Sequence, residues 1–345
     1  MEYRPLGNSG MTVSQLCLGT MMFGAWGNPD HDESIQTIHA ALDAGVNFVD
    51  SADVYSGGES EEVVGKALVG GRRDNVVLAT KVGQPFGEDP NHRGTSRRWI
   101  TEAVEGSLRR LRTDWIDLYQ VHRFSPGADI DDTLSVLSDL VHAGKIRAFG
   151  ASTLVPSRVV EAQWTAERRG HERFRTEQPA YSLLTRAAEF DVLPTCQRYG
   201  MGVLTFSPLA GGWLSGQYRK GQKVTGTASA ARRLAFPGSF DAESPANAAK
   251  LDAADALGAL ADEAGMTLIQ MAVAFVTNHP AVTSAIVGPH NVENLECYLA
   301  ADKAHLTDDV LDRIDAIVSP GETINVSDNM WPTATTALES TSRRR

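Results

Sequence analysis

The chain has 345 residues, 42% of them apolar, a length that allows about two ordinary domains or one α/β barrel with insertions. Its formal charge of -11 is spread over helix faces without a basic block, which excludes recognition of nucleic acid or an anionic membrane by simple electrostatics. The opening "MEYRPLGNSG" has no apolar core of signal-peptide length and no later run approaches the roughly 20 apolar residues that cross a bilayer, so the expected compartment is the cytoplasm.

In chain order, "GNSG" marks an N-terminal hairpin, after which short β-type runs alternate with segments of helical period. The strand runs fall at 14–20, 46–50, 76–81, 115–122, 146–152, 175–181, 202–208 and 282–288. Helical periods occupy 33–44, 59–69, 96–111, 130–143, 156–169, 188–199, two stretches within 247–279, and 291–301. In 96–111, Ile100, Val104, Leu108 and Leu111 form one apolar stripe while arginines and glutamates take the other faces, the pattern of a surface helix laid on a sheet. Alternating β and α units imply parallel strands with right-handed crossovers, and eight of them imply closure. The expected fold is therefore a single-domain (β/α)8 TIM barrel over 1–335, followed by a disordered tail at 336–345. A doubly wound sheet competes, but no Gly-x-Gly-x-x-Gly follows the first strand and "GGWLSG" at 211–216 lacks the Lys-Ser/Thr of a P-loop. The connection 209–246, rich in Gly, Ser, Ala and Arg, reads as a lid or clamp over a ligand. Cys17, Cys196 and Cys297 are too few and too scattered for a disulfide framework or a zinc site and read as buried thiols.

Barrel chemistry gathers where strands end, because the rigid core aims those side chains at one mouth. Here strand two ends at Asp50, strand three at Lys81, strand four at His122, strand five at Ser152, strand six near Gln178 and strand seven at Phe206 and Ser207. Taken singly, Asp50 is a turn former, Lys81 a solvated strand end, His122 an interior histidine and Tyr55 a loop aromatic. On successive strands of one rim they make a chemical set. A nearby ammonium stabilises a phenolate, so Lys81 would lower the Tyr55 pKa and make the phenol a usable acid. Asp50 would compensate the buried Lys81, and a neutral His122 would orient a carbonyl toward the phenol. Such a set supplies a proton but neither a nucleophile nor a metal cage, so the electrons have to arrive as hydride from a cofactor.

"YRPLGNSGMTVSQLCLGTMMFG", "DAGVNFVDSADVYSGGESEEVVGKAL", "TKVG", "SLRRLRTDWIDLYQVH", "GKIRAFGAS", "EQPAYSLL" and "SPLAGGWLSGQY" together resemble the aldo-keto reductases, including the branch of potassium-channel beta-subunit-like members, over about residues 3–320. The resemblance puts the family's Asp, Tyr, Lys, His tetrad on Asp50, Tyr55, Lys81 and His122, and implies extended binding of NADP(H) without a Rossmann unit. It places the nicotinamide carboxamide at Ser152 and Gln178, with Thr153 where the family has Asn. It stacks the ring on Phe206 and lays the pyrophosphate along Ser207, Pro208, Leu209 and Gly211. The adenosine end falls on Gly288, His290 and Asn294, near Asn291 and Tyr298, with no arginine for a bidentate grip; Arg232 and Arg233 either close over it or are solvated loop charges. NADPH is favoured and NADH stays open. Phe23, Trp26, Phe86 and Trp331 would wall the substrate. Arg123 meets an anionic or sugar-like substrate or pairs with a neighbouring carboxylate.

The leading function is reduction of an aldehyde or ketone to an alcohol, a small-molecule reaction with no metal, nucleic acid or membrane partner; a homo-oligomer is allowed. Alternatives are a nucleotide-sugar ketone reductase and a cofactor-sensing subunit with little turnover. A magnesium-dependent barrel enzyme would call for clustered carboxylates at strand ends, and only one strand end carries one.

Overall fold

The computed structural model describes residues 1–124, 127–222 and 237–330. Two short strands, β1 (Tyr3–Pro5) and β2 (Thr12–Ser14), pair antiparallel as the expected hairpin, with Tyr3 opposite Ser14 and Pro5 opposite Thr12. The barrel strands are β3 (Leu16–Gly19), β4 (Phe48–Asp50), β5 (Val77–Val82), β6 (Ile116–Val121), β7 (Ile146–Ser152), β8 (Thr176–Gln178), β9 (Gly202–Thr205) and β10 (Ser284–Val287). They close in sequence order, every pair parallel, with β10 bonded to both β9 and β3. The chain thus forms the closed parallel barrel read from the alternation. β8 is shorter than the expected 175–181 because Pro179 has no N–H to continue the ladder.

Around the barrel lie α1 (His31–Asp43), α2 (Glu59–Ala67), α3 (Arg97–Leu111), α4 (Ile130–His142), α5 (Pro156–Arg169), α6 (Val192–Tyr199), the single turn α7 (Pro237–Phe240), α8 (Ala248–Glu263), α9 (Leu268–Asn278), α10 (Val292–Leu299) and α11 (Asp308–Ile317). In α3 the predicted stripe is the buried one: Ile100, Val104 and Leu111 lie in the core and Leu108 packs on it. Ser96 caps this helix by accepting from the Trp99 N–H, and Arg112 ends it in the left-handed region at φ 54°. The two helices expected within 247–279 separate at Thr267, whose side chain and that of Gln270 form a capping box. Among the described residues no single helix is long and apolar enough to cross a bilayer.

Alternation along the strands sorts side chains between two cores. Cys17, Phe48, Ala79, Leu118, Ala148, Leu204 and Ile286 point into the barrel, whereas Leu78, Tyr119, Val121 and Phe149 face the helices. Leu6 and Val13 of the hairpin join the inner cluster, so the hairpin closes the N-terminal end of the barrel. It can approach this closely because residue 7 is glycine: at φ +50° a Cβ there would lie 2.2 Å from the Gly202 nitrogen. The C-terminal rim is the end left for a ligand.

The described part of the 209–246 connection is packed. Trp213 stacks on Tyr218 at 4.2 Å and both are buried with Leu214. Its central residues, with Arg232 and Arg233, lie outside the described residues, as do Trp331 and the 336–345 tail. Cys17 and Cys196 are buried as expected, but Cys297 is exposed. It sits on the outer face of α10, where its thiol reaches the Glu293 carbonyl one turn back.

Candidate active site

β4 delivers Asp50 to the rim, and the chain beyond it stays alongside β5: the Ser51 N–H donates to Ala79 O at 2.9 Å and the Asp53 N–H to Lys81 O at 3.1 Å. A tight turn follows at Tyr55–Gly58, with Ser56 at φ 49°, Gly57 at 67° and Gly58 at 100°. This turn holds the Tyr55 phenol over the rim. There the Lys81 ammonium donates to Asp50 Oδ1, to Ser51 O at 2.8 Å and to the Tyr55 hydroxyl oxygen at 3.2 Å. Lys81 is 0% exposed and Asp50 2%, so the ion pair is fully withdrawn from water. His122 is anchored by its own N–H on Val82 O at 2.7 Å, and its ring meets Tyr55 edge-on, 5.8 Å between centroids at 84°. The four residues expected to converge do converge.

Their electrostatics depart from expectation at one point. Burial raises the Tyr55 pKa above the ordinary phenol value and the Lys81 charge offsets only part of it, so the net direction is upward. Burial likewise pulls the Lys81 ammonium down, but Asp50 and Tyr55 outweigh it and leave it above its ordinary value. Burial, then the charges of Lys81 and Arg123, hold His122 well below the usual imidazole range, which makes it neutral at pH 7.

The sequence reading missed Gln120. Its side chain is fully buried and donates to Asp50 Oδ2 at 2.9 Å; Gln178 donates to the same oxygen at 3.1 Å and to Gln120 Oε1 at 3.2 Å. The carboxylate is thereby fixed by three side chains. The signal was available: Gln120 stands two residues before His122 on β6 and shares its inward face. Also missed was a polar cluster behind β5, where Glu61 accepts from Thr80 Oγ1 at 2.5 Å and from Arg110 Nε at 2.7 Å.

Of the residues expected to meet a cofactor, Gln178 commits both amide hydrogens to Asp50 and Gln120, so its amide oxygen is what remains for a ligand. Ser152 Oγ donates to Gln178 O at 3.0 Å, and Thr153, at φ 55°, donates its hydroxyl to Ser152 O at 2.8 Å. Phe206 is half-buried over the inner cluster, and Ser207 is exposed at φ 58°. The following turn satisfies the Ala210, Gly212 and Leu214 N–H groups internally, and the Ser207 and Leu209 N–H groups take no part in those bonds. Two donors of the expected run therefore fit an anion lying along it, while Pro208 has none to give and Gly211 makes room for Phe240, whose ring a Cβ would meet at 2.3 Å. At the other end Gly288 is exposed, His290 O accepts from Asn28 Nδ2 at 3.0 Å, and the Asn294 N–H is taken by the Asn291 cap at 2.9 Å. The start of α10 is thus partly self-satisfied.

Trp26 is 55% exposed with its ring 6.1 Å from Tyr55. Its loop lies on the Tyr55 turn through the Trp26 N–H to Ser56 Oγ at 3.1 Å and the Ala25 N–H to Glu59 Oε2 at 2.8 Å. Phe23, expected in the same wall, is instead fully buried in the outer core. Phe86 packs against α3, 6.2 Å from Trp99 and under the Arg110 guanidinium.

A phenol, an ammonium, a carboxylate and a neutral imidazole at one barrel mouth form a proton-donating site. The model of the aldo/keto reductase family matches residues 15–319. The chain belongs to the aldo/keto reductase family. Relatives of this aldo/keto reductase include the uncharacterized oxidoreductase YrpG of Bacillus subtilis, 37% identical over 93% of this chain and 97% of that one. A probable voltage-gated potassium channel subunit beta of Oryza sativa is 36% identical over 92% and 97%. The aldo-keto reductase YhdN of Bacillus subtilis is 35% identical over 86% and 87%. Membership supports an oxidoreductase, in a family whose enzymes act on carbonyl compounds and typically use nicotinamide cofactors.

Proposed function

We propose that this aldo/keto reductase reduces an aldehyde or ketone to the alcohol, with NADPH favoured over NADH by a modest factor. The observation that carries the reading is the buried line Asp50, Lys81, Tyr55, with the ammonium 3.2 Å from the phenol oxygen. Ser152 and Gln178 would hold the carboxamide, Phe206 the ring face, Ser207, Leu209 and the turn through Gly211 the pyrophosphate, and Gly288, His290 and Asn294 the adenosine end. When bound, the nicotinamide supplies hydride to the carbonyl carbon.

The protein's own part is the proton. Tyr55 gives it to the carbonyl oxygen as negative charge develops there, and Lys81 stabilises the phenolate left behind. Asp50, clamped by Gln120 and Gln178, keeps Lys81 charged and aimed. Neutral His122, edge-on to Tyr55, hydrogen-bonds the same oxygen and sets its approach. Trp26 offers an apolar wall beside the phenol and helps exclude water.

Tyr55→Phe tests this directly. Oxidation of NADPH by a panel of aldehydes, ketones and sugars should fall by about 10²- to 10⁴-fold, while NADPH affinity by fluorescence titration stays close to that of the unaltered protein. Undiminished turnover would remove Tyr55 from the role. Titration of the unaltered protein with both coenzymes checks the second half, and a thousandfold preference for NADPH would contradict the modest grip argued for the adenosine end. Tight NADPH binding with no turnover of any carbonyl would favour a sensing role instead.

A further inference from the structure

We propose that Arg123 is a specificity residue whose guanidinium binds the carboxylate of an anionic carbonyl substrate at the mouth beside Tyr55 and His122. This deepens the reductase reading and rests on it.

Arg123 directly follows His122 beyond the end of β6. Its hydrogen bonds all leave from Nη1: to His122 O at 2.9 Å, to Thr153 Oγ1 at 2.8 Å and to Ser152 Oγ at 3.4 Å. These fix the guanidinium against the rim at the ends of β6 and β7. The Nε and Nη2 hydrogens have no protein acceptor among the described residues, and neither atom is among the fully buried polar atoms lacking a partner. They therefore keep some exposure to solvent beside the rim. A planar guanidinium held on one side and free on the other is the donor arrangement that takes a carboxylate in two parallel bonds.

The charge is also uncompensated. Arg73, Arg110, Arg186 and Lys250, cations set into the fold, each meet a carboxylate: Asp117, Glu61, Glu189 and Asp328 respectively. Arg123 has no ion-pair partner among the described residues, which sets aside the reading of it as one half of a structural pair. Glu177 is the carboxyl whose charge would act on it, and burial pushes the Glu177 carboxyl up to about 8, so at neutral pH it carries little charge to offer. Lys81 is already neutralised by Asp50. Among the described residues the mouth thus keeps one uncompensated positive charge, whose field reaches both Tyr55 and His122. A largely buried cation without a partner is costly unless a ligand supplies the opposite charge.

The test compares ortho, meta and para formylbenzoates with their methyl esters, each pair having the same carbonyl and differing in charge, in the unaltered protein, Arg123→Met and Arg123→Lys. For at least one isomer the acid should be reduced with kcat/KM about tenfold or more above its ester. Arg123→Met should remove that preference mainly through KM, and Arg123→Lys, which keeps the charge but not the fork, should restore part of it. NADPH affinity by fluorescence titration should be retained in both variants. Equal acid-to-ester ratios in the unaltered protein and Arg123→Met overturn the proposal. So does a loss of NADPH affinity in Arg123→Met with the ratio intact, which would give Arg123 to the cofactor. If neither acids nor esters are reduced and the wider carbonyl panel is inert as well, the reductase reading falls. Formylbenzoate binding to the NADPH-loaded protein, followed by tryptophan fluorescence, then decides separately. Binding lost in Arg123→Met supports the carboxylate site, and no binding to the unaltered protein excludes it.

Discussion

Tyr55 and His122 touch edge to face yet have their pKa values moved in opposite directions, the phenol upward and the imidazole downward, chiefly by the same burial. The reason is that desolvation penalises whichever form is charged, which is the deprotonated phenol and the protonated imidazole. Both groups are thereby locked neutral across the middle of the pH scale, the state the proposed roles of proton donor and carbonyl orienter require. The expected pH profile for reduction follows. kcat/KM should be flat from about pH 6 to about pH 9 and decline only above about pH 10, as the phenol is lost. A transition centred near the ordinary histidine value would show that His122 titrates in the working range and is not the neutral orienter described. At this scale the tetrad was legible because Asp50, Lys81 and His122 each lie at a strand end or one residue from it, a position the sequence marks. The direction of the Tyr55 shift was not, since it depends on how much water the fold removes, and Gln120 was passed over because a neutral amide inside a strand gives no charge signal.

At the level of elements, β5 shows how one strand serves two cores. Lys81 points to the mouth, and its neighbour Thr80 points to the helices, where Glu61 of α2 accepts its hydroxyl and also pairs with Arg110 of α3. Glu61 thus ties α2, β5 and α3 at one point, at the residue next to Lys81. Glu61 is 0% exposed and the Arg110 side chain 20%, so replacing Glu61 by Ala strands a cation in a mostly dry interface. The expected cost is about 3 kcal/mol in urea-induced unfolding, with a smaller loss for Glu61→Gln, which can still accept from Thr80. A cost below about 1 kcal/mol would place this pair with the weak surface ion pairs. Strand and helix positions were legible from alternation and amphipathic spacing, as the α3 stripe shows. The three-element tie was not, because "ESEE" at the start of a helix reads as solvated charge, and nothing local distinguishes Glu61 from the exposed Glu62 beside it.

Across the whole molecule, the closed order of eight strands could be counted from the sequence because each unit repeats the same local pattern, whereas the fate of individual carboxylates could not, because burial is settled only when distant units meet. Asp53 and Glu177 illustrate it: neither oxygen of Asp53 nor Oε2 of Glu177 has a hydrogen-bond partner among the described residues. Burial raises both carboxyls to about 8, with the Glu61 charge adding to it at Asp53. In the unfolded chain such groups release their protons near pH 4. Between about pH 4 and about pH 8 the folded state therefore holds protons that the unfolded state has lost, and stability from these two sites declines as pH rises, by about 1.4 kcal/mol per pH unit for each group. Below that window both states are protonated and the contribution is fully present; above it both are ionised and the decline stops. The slope is opposite to that of an ordinary ion-paired carboxylate. Glu177→Gln, which keeps the shape and cannot ionise, should flatten the fall in melting temperature between pH 5.5 and pH 8 relative to the unaltered protein, and Asp53→Asn should do the same. Parallel melting curves for the variants and the unaltered protein across that range would mean that water or a counter-charge reaches these carboxyls after all, and that the barrel wall behind the site is less dry than its packing indicates.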